Sequence, residues 1–148
     1  MIIFYRFGKV DSDEFIFAAY EKYCGLKNID RKENKIVRDK KPHFENDAVK
    51  FNLSHTKDLT VVAMSDCEVG IDVEKRKPLD QKLCKYLGVE DIDDFVRLEA
   101  CVKYDGQGLK GIRSVNEKEY AVKNINFFHD YALAVCGDED AEFVELKE

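Results

Sequence analysis

The chain of 148 residues contains no tryptophan, two prolines and two methionines. Nowhere does an apolar run approach the ~20 residues that a membrane-spanning helix needs, so a membrane protein is not expected. The three histidines (His43, His55, His129) stand far apart in the chain. The five cysteines (Cys24, Cys67, Cys84, Cys101, Cys136) are odd in number, scattered and without a Cys-x-x-Cys pair, which argues against a disulfide framework and a zinc knuckle alike. They read as reduced thiols of a cytosolic protein. The segment MIIFYRFGK has neither a basic n-region nor a small-residue cleavage site, so a cytoplasmic, untargeted protein is expected. Basic charge is also in deficit, with 24 Lys and Arg against 30 Asp and Glu for a net charge of −6. Such a chain has no long-range attraction to nucleic acid or an anionic membrane, and an acidic partner would need a local basic patch.

What the sequence does contain is a set of short apolar segments punctuated by turn residues, with no repeat and no linker. Ile2 to Phe7 reads as a strand, and Asp11 with Glu14 as a capping-box-like helix start that Gly25 is placed to end. Residues 27–46 are polar, with Lys40-Lys41-Pro42 as a loop. Val49, Phe51 and Leu53 alternate with polar residues, Leu59 to Met64 is nearly all apolar, and Val69 to Glu74 alternates again. Helices are expected over Leu79–Leu87 and Asp91–Tyr104, the second stopped by Gly106 and Gly108. Strands follow at Tyr120–Phe127, Tyr131–Cys136 and Phe143–Leu146. The pattern is that of one α+β domain covering residues 1–148.

On the helix from Asp91, Glu99 falls inside the stripe formed by Ile92, Phe95, Val96 and Val102, and Lys103 follows at i+4. A carboxylate aimed at the core needs a cation, a metal or several donors. Asp72 and Glu74, at i and i+2, point to one side of their strand. Three convergent carboxylates without a histidine or cysteine cluster suit Mg²⁺, and Mg²⁺ suits a phosphate substrate. Spacing alone favours a plain Glu99–Lys103 helix pair, with Asp72 and Glu74 on a solvated face.

Three segments together resemble the Sfp-type 4′-phosphopantetheinyl transferases: Phe51-Asn52-Leu53-Ser54-His55-Thr56, Val69-Gly70-Ile71-Asp72-Val73-Glu74, and Phe95-Val96-Arg97-Leu98-Glu99-Ala100-Cys101-Val102-Lys103 running into Gly106-Gln107-Gly108-Leu109. Their order and rough separation match too. Lys41-Pro42 stands where that family has a Gly-Lys-Pro loop, and Tyr131–Cys136 resembles its late hydrophobic strand. The resemblance implies a fold of two pseudo-related α/β halves, about 1–68 and 69–148, with antiparallel strands packed on helices. It implies Mg²⁺-dependent transfer of the phosphopantetheine arm of coenzyme A to a serine of an acyl or peptidyl carrier protein, releasing 3′,5′-ADP. Carried over residue by residue, Asp72, Glu74 and Glu99 would hold Mg²⁺, Glu99 would be the base and Lys103 would assist the leaving group. Ser54 and His55 would bind the 3′-phosphate end of the nucleotide, with Thr56 alongside and Lys41 adding charge. Lys75-Arg76-Lys77, Lys82 and Lys85 are candidates for steering an acidic carrier.

The chain departs from that pattern in three ways. Leu98 stands where the family usually has a lysine, so a phosphate-binding cation is missing, and Leu98→Lys is expected to leave transfer unchanged or raise it. Phe95 replaces a tryptophan, and the chain is short for the type. The mid-chain position of Gly70-Ile71-Asp72 favours a monomer holding both halves over the trimer of the shorter holo-synthase type, with dimerisation left open. Two other functions fit the residues: a non-catalytic module binding coenzyme A or carrier protein, motivated by Leu98, and an unrelated Mg²⁺-dependent phosphohydrolase using the same carboxylates.

Overall fold

The computed structural model describes residues 1–106, 108, 112 and 115–147. It is a mixed α+β protein, and among the described residues no helix is long and apolar enough to cross a membrane. The first part of the chain forms β1 (Ile2–Phe7), α1 (Ser12–Lys27), a short ribbon of β2 (Ile36–Val37) and β3 (His43–Phe44), then β4 (Lys50–His55) and β5 (Leu59–Ser65). The second part forms β6 (Gly70–Lys75), α2 (Gln81–Leu87), α3 (Ile92–Asp105), a 3₁₀ turn at Glu117–Glu119, β7 (Val122–Asn124), β8 (Tyr131–Cys136) and β9 (Glu142–Glu145).

Two sheets, β4-β5-β1-β9 and β6-β8-β7, carry one topology twice. In each part a strand and a principal helix are followed by two strands, the last of which inserts antiparallel between the other two: β5 between β4 and β1, and β8 between β7 and β6. The last strand, β9, returns to the first sheet and lies parallel to β1, so the pairing is not antiparallel throughout.

Burial explains why these segments are strands. Helix α1 covers one face of the first sheet with Phe15, Ile16, Ala19, Tyr20 and Tyr23 against Phe4, Phe51, Val62 and Met64. The opposite face, with Ile3, Leu59, Val61 and Ala63, packs on Ile71, Val73, Leu133 and Val135 of the second sheet. Strand β5 and the first half of β1 (Ile2 to Phe4) are thus buried on both sides, which is why their sequences are nearly continuous apolar runs instead of alternating ones. Helix α3 covers the far face of the second sheet, with Val96, Ala100 and Cys101 against Ala132, Ala134 and Cys136.

Several boundaries differ from the sequence reading. Helix α1 continues through Gly25 and ends at Asn28, whose φ of 55° lets its N–H reach the Cys24 and Gly25 carbonyls. Residues 27–46 hold the β2–β3 ribbon, which is too short to give a periodic signal. The strand expected over Tyr120–Phe127 pairs as β7 only at Val122–Asn124, because the 3₁₀ turn occupies the residues before it and Phe127 and Phe128 turn into an aromatic cluster with Tyr5 and Phe143. All five cysteines are free thiols, and only Cys67 is exposed.

Candidate functional site

The sheets meet along a seam between edge strands β4 and β6, joined by side chains instead of a backbone ladder. The Asn52 Oδ1 accepts the Ile71 N–H at 2.8 Å, and the Ser54 hydroxyl accepts the Val73 N–H at 3.1 Å. Lys103 reaches across from α3 and donates to the carbonyls of Leu53 and Ile71, each at 3.1 Å. Helix α3 can come this close only because residue 70 is glycine: a Cβ there would lie 2.2 Å from the Ala100 carbonyl oxygen and 2.6 Å from the Tyr104 nitrogen. The contact presses the helix turn carrying Glu99 and Lys103 onto the strand carrying Asp72 and Glu74. As expected, Ile71 and Val73 face the core between the sheets, so Asp72 and Glu74 face the helix.

Asp72 lies at the centre of this arrangement and is 5% exposed, which disposes of a solvated face for it. Its Oδ1 accepts from Ser54 at 3.2 Å and sits 3.6 Å from the Lys103 ammonium, while its buried Oδ2 has no partner among the described residues. Burial raises its pKa to about 7; Lys103 and the Ser54 hydrogen bond oppose this, and Glu74 and Glu99 add to it. Burial likewise raises the half-buried Glu74 and Glu99, each partly countered by Lys103, and Glu74 pushes Glu99 up further. Glu99 lines a pocket instead of pointing into the core, and it makes no hydrogen bond to a described residue.

Among the described residues no three carboxylate, imidazole or thiol groups stand close enough together to ligate a metal as placed. Lys103 supplies the positive charge nearest Asp72. The donor set nevertheless fits a hard cation: its atoms are carboxylate oxygens, one of them buried and unpartnered; burial raises all three pKa values, and repulsion adds to this at Asp72, from Glu74 and Glu99, and at Glu99, from Glu74.

A testable pH dependence follows. The folded pKa of Asp72 lies above the ~3.9 of an unfolded aspartate, so between about pH 4 and 7 the native state holds a proton that the unfolded chain has lost. That stabilising contribution is present at low pH and lost as the pH rises through 7. In chelator, Asp72→Asn should have a Tm advantage over the parent chain that grows from pH 5 to pH 8 to several degrees. An advantage that is flat with pH contradicts this environment for Asp72.

Beside the carboxylates opens a pocket of about 520 Å³, within the range of small-molecule sites. Its wall is apolar (Ile16, Phe51, Leu53, Val102), and Arg38, Lys40, Lys41, His55 and Lys103 bring cationic or imidazole groups to it. Lys41 contributes mainly its stem, since its ammonium is held inside the protein by Glu68 at 2.7 Å and the carbonyls of Val69 and Tyr104. Arg38 is paired with Asp13. His55 is exposed at the end of β4. Thr56 does not line the pocket; its hydroxyl accepts the Leu59 N–H at 3.1 Å and closes the β4–β5 turn. Ser54 also faces away, between two strand neighbours that do line the pocket.

Sequence reasoning missed Arg38, Asn52 and the α1 wall at Ser12 and Ile16. Arg38 sits in a polar segment without periodicity, and Asn52 shows its role only once β4 and β6 are seen to adjoin.

Leu98 is not a pocket residue. It is buried with Cys84 and Val89, where α3 packs against α2 and the residues after it, so a lysine there would meet apolar surroundings instead of a phosphate. Leu98→Lys should lower stability by about 2 kcal/mol without raising any activity of the site, as a melt and an assay on one preparation will report. Arg97 is held by Asp94, Glu117 and Asn124. In the basic run, Arg76 pairs with Asp93 and Lys75 lies over the Tyr131 ring, leaving Lys77, Lys82 and Lys85 as its exposed lysines without a described ion pair. Gln107 and Leu109 of the glycine segment lie outside the described residues.

No family model matches this chain, and no curated protein matches it.

Proposed function

We propose that the chain is a Mg²⁺-dependent 4′-phosphopantetheinyl transferase that moves the phosphopantetheine arm of coenzyme A to a carrier-protein serine, with a compact two-half version of that fold. The observation that carries the reading is the convergence on one seam of Asp72 and Glu74 from β6 with Glu99 and Lys103 from α3, the latter two lining a pocket with basic residues in its wall. The repeated strand order supports the two-half fold, and the three motifs that suggested the family supply the seam, the strand and the helix of this one place.

In this reading Asp72, Glu74 and Glu99 hold Mg²⁺, which when bound neutralises charge on the coenzyme A diphosphate. Arg38, Lys40 and His55 are placed to receive the phosphates of the nucleotide end. The apolar wall suits its base. Glu99, its pKa raised by burial and by Glu74, accepts the proton from the carrier serine hydroxyl. The serine oxygen forms a bond to the phosphorus that carries the pantetheine arm, and the bond from that phosphorus to the bridging oxygen breaks. The electron pair stays on the oxygen that leaves with 3′,5′-ADP, where Lys103 offsets the new charge. Lys77, Lys82 and Lys85 are available to attract an acidic carrier.

A second reading, a binding module that does not turn over, is favoured by the same Lys103: its ammonium holds two backbone carbonyls and lies against Asp72, where a cation would be needed. Incubation with apo carrier protein, coenzyme A and Mg²⁺, followed by the carrier's mass, separates the two. Gain of one phosphopantetheine per carrier is expected of the transferase. An unmodified carrier together with saturable coenzyme A binding points to the module, and phosphate release without a mass gain to a hydrolase.

A further inference from the structure

We infer that Ser54 is a positioning residue for Asp72, fixing that carboxylate for a divalent cation, and is not a ligand of the nucleotide phosphates. The inference rests on the metal-site reading above. Along β4, Phe51, Asn52, Leu53 and His55 line the pocket, but Ser54 does not: it is 4% exposed and its hydroxyl is turned into the seam. A phosphate in the pocket would meet residues 53 and 55 and not 54.

Hydrogen-bond capacity leads to the same place. A serine hydroxyl has one proton to donate. That of Ser54 goes to Asp72 Oδ1 at 3.2 Å, and its oxygen receives the Val73 N–H at 3.1 Å. Phosphate oxygens at neutral pH are acceptors, so a Ser54 engaged in this way has no proton left for one. Its two bonds instead tie the Asp72 side chain to the backbone of the next residue on β6 and, through β4, to the first sheet. The Lys103 ammonium lies 3.6 Å from the same Oδ1. Among the described residues Oδ2 is thereby the oxygen left without a partner, one of two such buried side-chain atoms, the other being Asn34 Nδ2. Groups that fix a ligating carboxylate in this way typically change metal affinity by about 10–100-fold when removed.

The test uses the full chain and Mn²⁺ as the probe, with bound ion counted by electron paramagnetic resonance, and 3′,5′-ADP binding measured separately in chelator by calorimetry. Ser54→Ala should weaken Mn²⁺ binding by about 10–100-fold and leave 3′,5′-ADP binding within about twofold. Ser54→Thr, which restores the hydroxyl, should recover most of the Mn²⁺ affinity. If the alanine variant does not fold, Ser54→Cys, close in volume but a weak donor, takes its place. Unchanged Mn²⁺ affinity in the variant, or a loss confined to 3′,5′-ADP, overturns the assignment of Ser54 alone. A parent chain that binds no Mn²⁺, or whose binding survives Asp72→Asn, overturns the metal site and this inference with it.

Discussion

Glu99→Gln is expected to abolish carrier modification, with transfer falling by about 10³-fold or more, while the protein stays folded with an unchanged or slightly higher Tm. Glutamine keeps the shape but can neither accept the serine proton nor carry the charge that draws a divalent cation, so a base and a ligand are lost together. Stability moves the other way because burial disfavours the Glu99 carboxylate, Glu74 repels it, and it in turn raises the pKa of buried Asp72. This opposition between activity and stability marks a site maintained for function. If Glu99 were only the structural partner of Lys103, its loss would lower the Tm and leave the carrier reaction intact.

Gly70→Ala should have the largest effect on the fold. The added methyl would sit 2.2 Å from the Ala100 carbonyl oxygen and 2.6 Å from the Tyr104 nitrogen, both backbone atoms that no rotamer change can move. Either α3 lifts from β6 or β6 shifts in its sheet. The cost should be about 3 kcal/mol or more, a loss of roughly 10 °C in Tm. Because the displaced elements are those carrying Asp72, Glu74, Glu99 and Lys103, divalent-ion binding should fail even where a folded fraction survives. Gly25→Ala is the control: nothing lies within 4 Å of its added methyl and the residue is inside α1, so stability should hold or rise slightly. Equal melting of the parent and Gly70→Ala chains would contradict the close approach of helix and strand.

These expectations also show which parts of the protein can be read without coordinates. Local periodicity sufficed for β5, whose run from Leu59 to Met64 is apolar because both faces are covered, and for β6, where Ile71 and Val73 alternate with Asp72 and Glu74. It also placed Glu99 and Lys103 one turn apart on α3. It could not say that Glu99 looks into a pocket and not into the core, because Glu99 lies inside the helix's apolar stripe and the pocket beside it is lined by β4, a strand far away in sequence. The same limit applies to Leu98: its place in the motif suggests a missing phosphate ligand, but its surroundings are set by α2 and the residues after it. Ser54 and Asn52 look like a binding motif in the sequence, yet both side chains are engaged with the backbone of β6, a pairing that no spacing within β4 could reveal. Arg38 and the wall from α1 have no local signature at all, since four separate segments must come together before the pocket exists.

The measurement that bears most directly on the account is the anomalous scattering of Mn²⁺ in crystals grown with Mn²⁺ and coenzyme A. One strong peak is expected at the β6–α3 seam, with an oxygen of Asp72, of Glu74 and of Glu99 each within about 2.2 Å, and the diphosphate beside it. A peak held by other residues, or a coenzyme A diphosphate bound elsewhere with Lys103 still against Asp72, would contradict it.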